Sequence, residues 1–258
     1  MRTAFSWLAR RIIFAPLCLL VLTTPARADQ PNPNIVCRPE LSVARRQELA
    51  DKLRVITGWT ELHFDADGRL HHGDALPADG SQHARALLAV TARGQNMMVL
   101  EDASGRADVA FSRVVEGRWK QGAGVRPPVF VVLIDFADFT HLMGDADALA
   151  AFNVGWGLLH EIDHVVHDSA DPAAGGANPA GECEDAINRM RRECGLAERV
   201  TYFYTLLPGS ERSDFKTRYV RLAFERTLVP NQHKRYWLFW DATQIGGLPD
   251  ATQIAAVR

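Results

Sequence analysis

The chain has 258 residues, 29 of them basic and 31 acidic, for a formal charge of −2. No basic stripe alternates with aromatic residues, which excludes a phosphate-tracking surface and argues against nucleic acid as a partner. The length suits one generous domain or two small lobes around a cleft.

At the start of the chain, Arg2, Arg10 and Arg11 precede an apolar run from Ile12 to Leu22 and the small-residue site Ala26-Arg27-Ala28. This is the pattern of an export signal over residues 1–28. The run falls short of the roughly 20 apolar residues that a bilayer-spanning helix needs, and no later segment reaches that length. The expectation is an exported protein, periplasmic or secreted, with no membrane anchor in the mature chain. Losing residues 1–28 removes four arginines and no acids, taking the formal charge from −2 to −6.

Residues 29–39, with three prolines, read as an extended leader, and residues 40–258 as a single domain. Ser42 opens a predicted helix to about Ile56, with Leu49, Leu53 and Ile56 at helical spacing. The stretch GWTELHFDADGRL alternates large and polar residues and turns at Asp67-Gly68, as a hairpin does. His71 and His72 behind it read as solvated. A short helix over 82–92 follows, then two strands, NMMVLED and ADVAFSRVVEG, about a Ser104-Gly105 turn. The strongest strand signal is the β-branched and aromatic run RPPVFVVLIDFADF. After Gly144 and Asp145 break the chain, residues from about Asp147 to His167 read as one helix despite Gly155 and Gly157, which let another backbone come close. A glycine- and proline-rich loop leads to a second helix from about Glu182 to Cys194, stopped by Gly195. Beyond it, VTYFYTLL and KRYWLFW read as strands or aromatic core, with room for a helix between them. Asp-Ala-Thr-Gln-Ile occurs at 241 and again at 250, a local duplication without functional meaning.

Without Cys18, the thiols are Cys37, Cys183 and Cys194. Export permits disulfides. On one helix Cys183 and Cys194 lie about 16 Å apart and cannot pair. Either Cys37 bridges to one of them or all three are buried thiols.

The chemistry concentrates in GLLHEIDHVVHD, residues 157–168. His160-Glu161-Ile162-Asp163-His164 satisfies H-E-x-x-H. On a helix, positions i and i+4 share a face about 6 Å apart, so both imidazoles reach one tetrahedral Zn2+. Glu161 projects beside them, where it can accept a proton from a metal-activated water. His167 reads as a helix-end residue favouring the dipole, and Asp168 as a residue that orients a histidine from behind. For the third ligand the helix beginning near 182 offers Glu182 and Glu184 on opposite sides. Glu184 has Asn188 one turn later, a polar partner that Glu182 lacks. Tyr202, Tyr204, Arg199 and His233 are chemically suited to steady an oxyanion, and each is equally suited to core or surface.

Residues 153–190 resemble the gluzincin metallopeptidases, the thermolysin-like class of zincins. There H-E-x-x-H on one helix is completed by a glutamate on a following helix, with a polar residue four positions later contacting a histidine. The segment RRECGLAERVTY is also similar to one in uncharacterised exported bacterial proteins carrying H-E-x-x-H. The resemblance implies an α+β, zincin-like fold: a small mixed sheet, an active-site helix and a following ligand helix. It implies a zinc peptidase acting on peptide or protein substrates, with His160, His164 and Glu184 as ligands and Glu161 as general base. Asn188 stands where the family has aspartate. The run VFVVLIDFADF is expected either as an edge strand along a substrate cleft or as a buried central strand. Two other functions share these residues: a zincin scaffold that binds a partner without turnover, and a zinc hydrolase of a non-peptide amide.

Overall fold

The computed structural model describes residues 34–73, 77–118, 126–207 and 218–246, all within a unit running from Asn32 to Arg258. The export signal expected over residues 1–28 lies outside them. The elements run β1 (Ile35–Cys37), α1 (Val43–Thr57), β2 (His63–Phe64), β3 (Leu70–His71), α2 (Gln82–Arg93), β4 (Met97–Asp102), β5 (Ser112–Glu116) and β6 (Val129–Ile134). They continue with α3 (Phe136–Thr140), β7 (Met143–Gly144), α4 (Ala146–Ala151), α5 (Val154–His167), α6 (Glu182–Glu193), β8 (Glu198–Arg199), β9 (Thr205–Leu206), β10 (Tyr219–Val229) and β11 (Gln232–Asp241). The class is α+β, as expected. No helix among the described residues is long and apolar enough to cross a membrane.

The first sheet has the order β1-β4-β6-β5. β1, β4 and β6 run parallel, and β5 pairs antiparallel with β6 at the edge. A mixed sheet of this kind buries both faces of its inner strand, which explains the unbroken apolar run of β6. Of the two positions open to that run, the structure gives it the interior one. The edge belongs to β5, beside α5. Residues 29–39 do not behave as a leader where they are described. Ile35 and Cys37 are buried in β1, which pairs with β4, so the alternation of Ile-Val-Cys outweighs the prolines before it.

α5 packs against α1, α2 and α6 and against β5 and β6. Leu158, Leu159 and Ile162 are fully buried on it, a contribution of about 1.5–3 kcal/mol each. The single helix expected from Asp147 is two. α4 ends at Ala151, the chain breaks at Phe152, and Asn153 starts α5 by accepting the Gly155 N–H on its side chain. At the two glycines the neighbours that come close are side chains, not the other backbone expected. A Cβ on Gly155 would lie 2.9 Å from Lys52 Cβ of α1, and one on Gly157 would lie 3.1 Å from Ser112 Oγ of β5.

The second sheet, β7-β11-β10-β8 with β9 also on β10, is built on a long antiparallel hairpin. Its presence corrects the helix allowed for between 200 and 240, at least over 219–229. Val220, Leu222 and Phe224 are buried alternately along β10, a period-2 pattern. The short hairpin of β2 and β3 turns at Gly68 as read from the sequence. His71 there bonds Asp65 at 2.7 Å, and His72 stacks on Trp59 at 4.1 Å. Cys37, Cys183 and Cys194 are all free thiols, which leaves no bridge from Cys37.

β6 ends one residue before Asp135, which caps α3 through Asp138 N at 3.0 Å. Asp138 is itself buried and accepts the Phe111 N–H at 2.9 Å. Burial first, and then the charge of Asp135, push its carboxyl up to about 6. The folded chain therefore keeps this proton to a higher pH than the unfolded chain, whose carboxyl releases it near 3.8. Stability is lost as pH rises between those values, by about 2–3 kcal/mol in all. Urea unfolding at pH 4 and pH 7 should show Asp138→Asn gaining on wild type by that amount at the higher pH. A gap unchanged with pH would contradict the raised carboxyl.

Candidate metal centre

The last turn of α5 sets the site. Asp168 ends the helix in the left-handed region, φ 53 and ψ 31, a conformation that Asp tolerates better than most residues. The chain thereby reverses, and the Ser169 carbonyl returns to His164 Nδ1 at 2.7 Å. Asp163, buried, pins the reversal by accepting from Ser169 Oγ at 2.7 Å and by holding His167 Nδ1 at 2.6 Å. Three residues past the cap, Asp171 faces the two histidines.

The donor atoms converge. His160 Nε2 and His164 Nε2 are 3.1 Å apart, and Asp171 Oδ1 lies 3.3 Å from the first and 3.6 Å from the second. Ligands at about 2.0–2.1 Å from a tetrahedral ion are separated by roughly 3.3–3.4 Å, so the triangle fits a small divalent cation. Proton placement supports the same fit. A carbonyl can only accept, so His164 Nδ1 carries its proton toward Ser169 and leaves Nε2 as a lone pair. His160 Nδ1 faces Cys183 Sγ at 3.2 Å and Glu184 Oε2 at 3.6 Å, which leaves its Nε2 for the triangle. Two lone pairs and a carboxylate oxygen aimed at one another repel, and a cation between them turns that repulsion into binding. Without a cation, protons take its part. His160 is raised well above its ordinary value because Asp171 and Cys183 together outweigh the large opposing effect of burial. Contact with Cys183, aided by the Ser169 carbonyl, pushes His164 up to about 9.

Cys183 is fully buried and near both histidines, and one ligand atom from each of the three lies within 4.8 Å of the others. Its sulfur touches His160 on Nδ1, the far side of the ring from His164 Nε2, and also reaches the His160 carbonyl at 3.3 Å. Cys183 thus holds the His160 ring through Nδ1 and is itself close enough to both histidines to serve as a donor.

Glu184, expected as the third ligand, lies 3.6 Å from His160 Nδ1. It is fully buried, bonded through one oxygen to Arg191 and through the other to Arg199 Nη1 at 3.0 Å. Burial alone would raise its carboxyl, but the two guanidiniums hold it down at about 2. It approaches His160 from the Nδ1 side, as an ion-paired anion behind the ring. Asn188, expected to contact a histidine, instead accepts from Arg191 Nη1 at 2.9 Å and from Arg199 N at 2.7 Å. Glu182 is exposed and accepts from Ala170 N at 3.4 Å, a contact with the loop that carries Asp171.

Glu161 is almost fully buried, with one oxygen accepting from Ser112 Oγ and the other from Val114 N, both at 2.8 Å. Both donors come from the edge strand β5, so the sheet aims this carboxylate. His160 and Glu161 share the wall of one cavity with Ser112, Arg199, Tyr202 and Tyr204. Of the four oxyanion candidates, these last three therefore gather at the site. Arg199 is committed to Glu184, and the Tyr202 hydroxyl donates to Asp171 Oδ2 at 2.7 Å. His233 lies on β11 beside Thr227, at 3.1 Å, and has no part in the site. His167 is the helix-end residue expected, whereas Asp168 acts by its backbone, and the Ser169 carbonyl does the orienting assigned to it.

Comparison of the chain with protein-family models, with curated proteins and with solved structures finds no match.

Proposed function

We propose that the chain is a zinc-dependent hydrolase of peptide bonds, with His160, His164 and Asp171 holding the ion and Glu161 as general base. The observation that carries this reading is the convergence of His160 Nε2, His164 Nε2 and Asp171 Oδ1 at 3.1 to 3.6 Å beside a buried carboxylate. Two nitrogens, one oxygen and room for a fourth partner form the donor set of catalytic rather than closed zinc sites. A bound Zn2+ supplies Lewis acidity toward a water and a carbonyl oxygen.

The chain's own residues do the rest. Glu161 takes the proton that the attacking water gives up and passes it to the leaving amine. Ser112 and Val114 keep both its oxygens directed while it is charged, and neither can receive that proton in its place. Tyr202 ties back one oxygen of Asp171, which keeps the other free for the ion. β5, the edge strand of the sheet among the described residues, gives its Val114 N–H to Glu161 and so ties the carboxylate to the sheet.

The test is metal content against turnover. The purified protein should bind one zinc per chain and cut an unstructured protein such as casein. A chelator should stop the cutting, and added Zn2+ should restore it. A chain that takes up no divalent ion ends the proposal, and one that takes up zinc but cleaves no peptide ends its peptidase half.

A further inference from the structure

Beside His160 and Glu161 opens a cavity of about 150 Å³. Eight aromatic side chains line it, among them Phe111, Phe152, Tyr204 and Trp240. Phe111 meets Phe152 and Trp240 edge to face, with centroids 5.1 and 5.3 Å apart, so the wall is fixed by ring packing. The backbone is held out of its ordinary region to build that wall. Phe111 has φ 61, outside what a bulky residue adopts freely, at a cost of about 1–3 kcal/mol. Its N–H is anchored on Asp138 at 2.9 Å and its carbonyl on Asp135 N at 2.8 Å.

Two further observations point to an occupant. A cavity of about 150 Å³ is the size that accepts one benzene ring. Away from the site residues the rest of the wall is apolar too, formed by Ala110, Trp156 and Leu222. The cavity also discriminates by charge. Its two guanidiniums, Arg191 and Arg199, are balanced by two carboxylates on the same wall, Glu184 and Glu161, so a charged side chain would enter without compensation.

We infer that this cavity receives an aromatic side chain, tyrosine or phenylalanine, from the substrate residue next to the bond that is cut. Its place in a reaction rests on the hydrolase reading above. Its capacity to hold a ring does not. An aromatic ring fills the cavity and a methyl group leaves it empty, so the preference over alanine should exceed about tenfold in kcat/KM.

Two measurements test this. The zinc-loaded protein is given a mixed peptide library and the products are identified by mass spectrometry. Tyrosine and phenylalanine should be enriched more than about tenfold over alanine at one of the two positions flanking the cut. In parallel, wild type and Leu222→Trp, whose larger ring fills the cavity, are titrated with p-cresol while thermal unfolding is followed. Cresol should raise the melting temperature of wild type and leave that of the variant unmoved. Cleavage indifferent to the flanking residue overturns the inference while the hydrolase reading stands. If no peptide is cut, that reading falls, and the cresol titration of wild type decides alone: a shift supports the aromatic cavity and its absence overturns it.

Discussion

Replacing Glu161 with glutamine should lower peptide turnover by about 100-fold to 10,000-fold while leaving zinc bound and the fold intact. The amide has the shape of the carboxylate. Its oxygen can accept from Val114 N while its NH2 donates to Ser112 Oγ, which can accept, so both contacts of β5 survive. What is lost is the capacity to take a proton, because an amide is not a base at neutral pH. The ion's three protein ligands are other residues, so zinc stoichiometry measured on the variant should equal that of wild type. Activity retained with zinc retained would remove Glu161 from the reaction. A wild-type chain that holds zinc, cuts nothing and is indifferent to this substitution would be a binding module built on the same scaffold.

The motif helix and its surroundings were legible because the signals were local. The apolar spacing of Leu158, Leu159 and Ile162 set one face of α5, and H-E-x-x-H set the other. The hairpin at Gly68, the α2 helix and the β4 strand followed from period and turn residues in the same way. β10 was less legible only because Val220, Leu222 and Phe224 are interleaved with residues common in helices. The spacing of Val220, Leu222 and Phe224 by two and the Pro230-Asn231 turn, with Asn231 at φ 68, were the signals that should have decided it. The third donor was hidden for a different reason. A ligand beyond a helix end depends on how the chain turns there, and the left-handed residue that turns it is Asp168, not a glycine. Once Asp168 is read as a cap, Asp171 is the first acid carried back over the two histidines. Glu184 reads as a ligand in the sequence because a carboxylate on the following helix looks the same with or without its own cations. Glu184, Asn188 and Arg191 share a face of α6, and that spacing already announced an internal ion pair. Arg199, brought in from beyond the helix, was not visible from spacing at all.

The competing ligand assignments separate through two substitutions with opposite signatures. Asp171→Asn removes the charge from an oxygen that faces both histidines, on a part-exposed loop residue whose other oxygen accepts from Tyr202. Zinc affinity should fall by more than about 100-fold, since losing even a group that merely orients a ligand costs 10–100-fold. The melting temperature of the metal-free protein should fall less than with Glu184→Gln, because the pairing of Asp171 with the protonated histidines is partly exposed whereas that of Glu184 is buried. Glu184→Gln does the reverse. It leaves Arg191, 2% exposed, without its anion, and breaking a buried pair from one side costs about 3–5 kcal/mol. The carboxyl of Glu184 lies at about 2 in the folded chain against an ordinary 4.5. Its stabilisation is therefore complete above the unfolded value and is lost as pH falls toward 2. Denaturation curves should show the cost of the glutamine substitution in full at neutral pH and shrinking below about pH 4. Zinc stoichiometry should stay at one per folded chain. If Glu184→Gln instead loses zinc at unchanged stability while Asp171→Asn keeps it, the ion sits on the Nδ1 side of His160, and the donor triangle of His160, His164 and Asp171 is not its site.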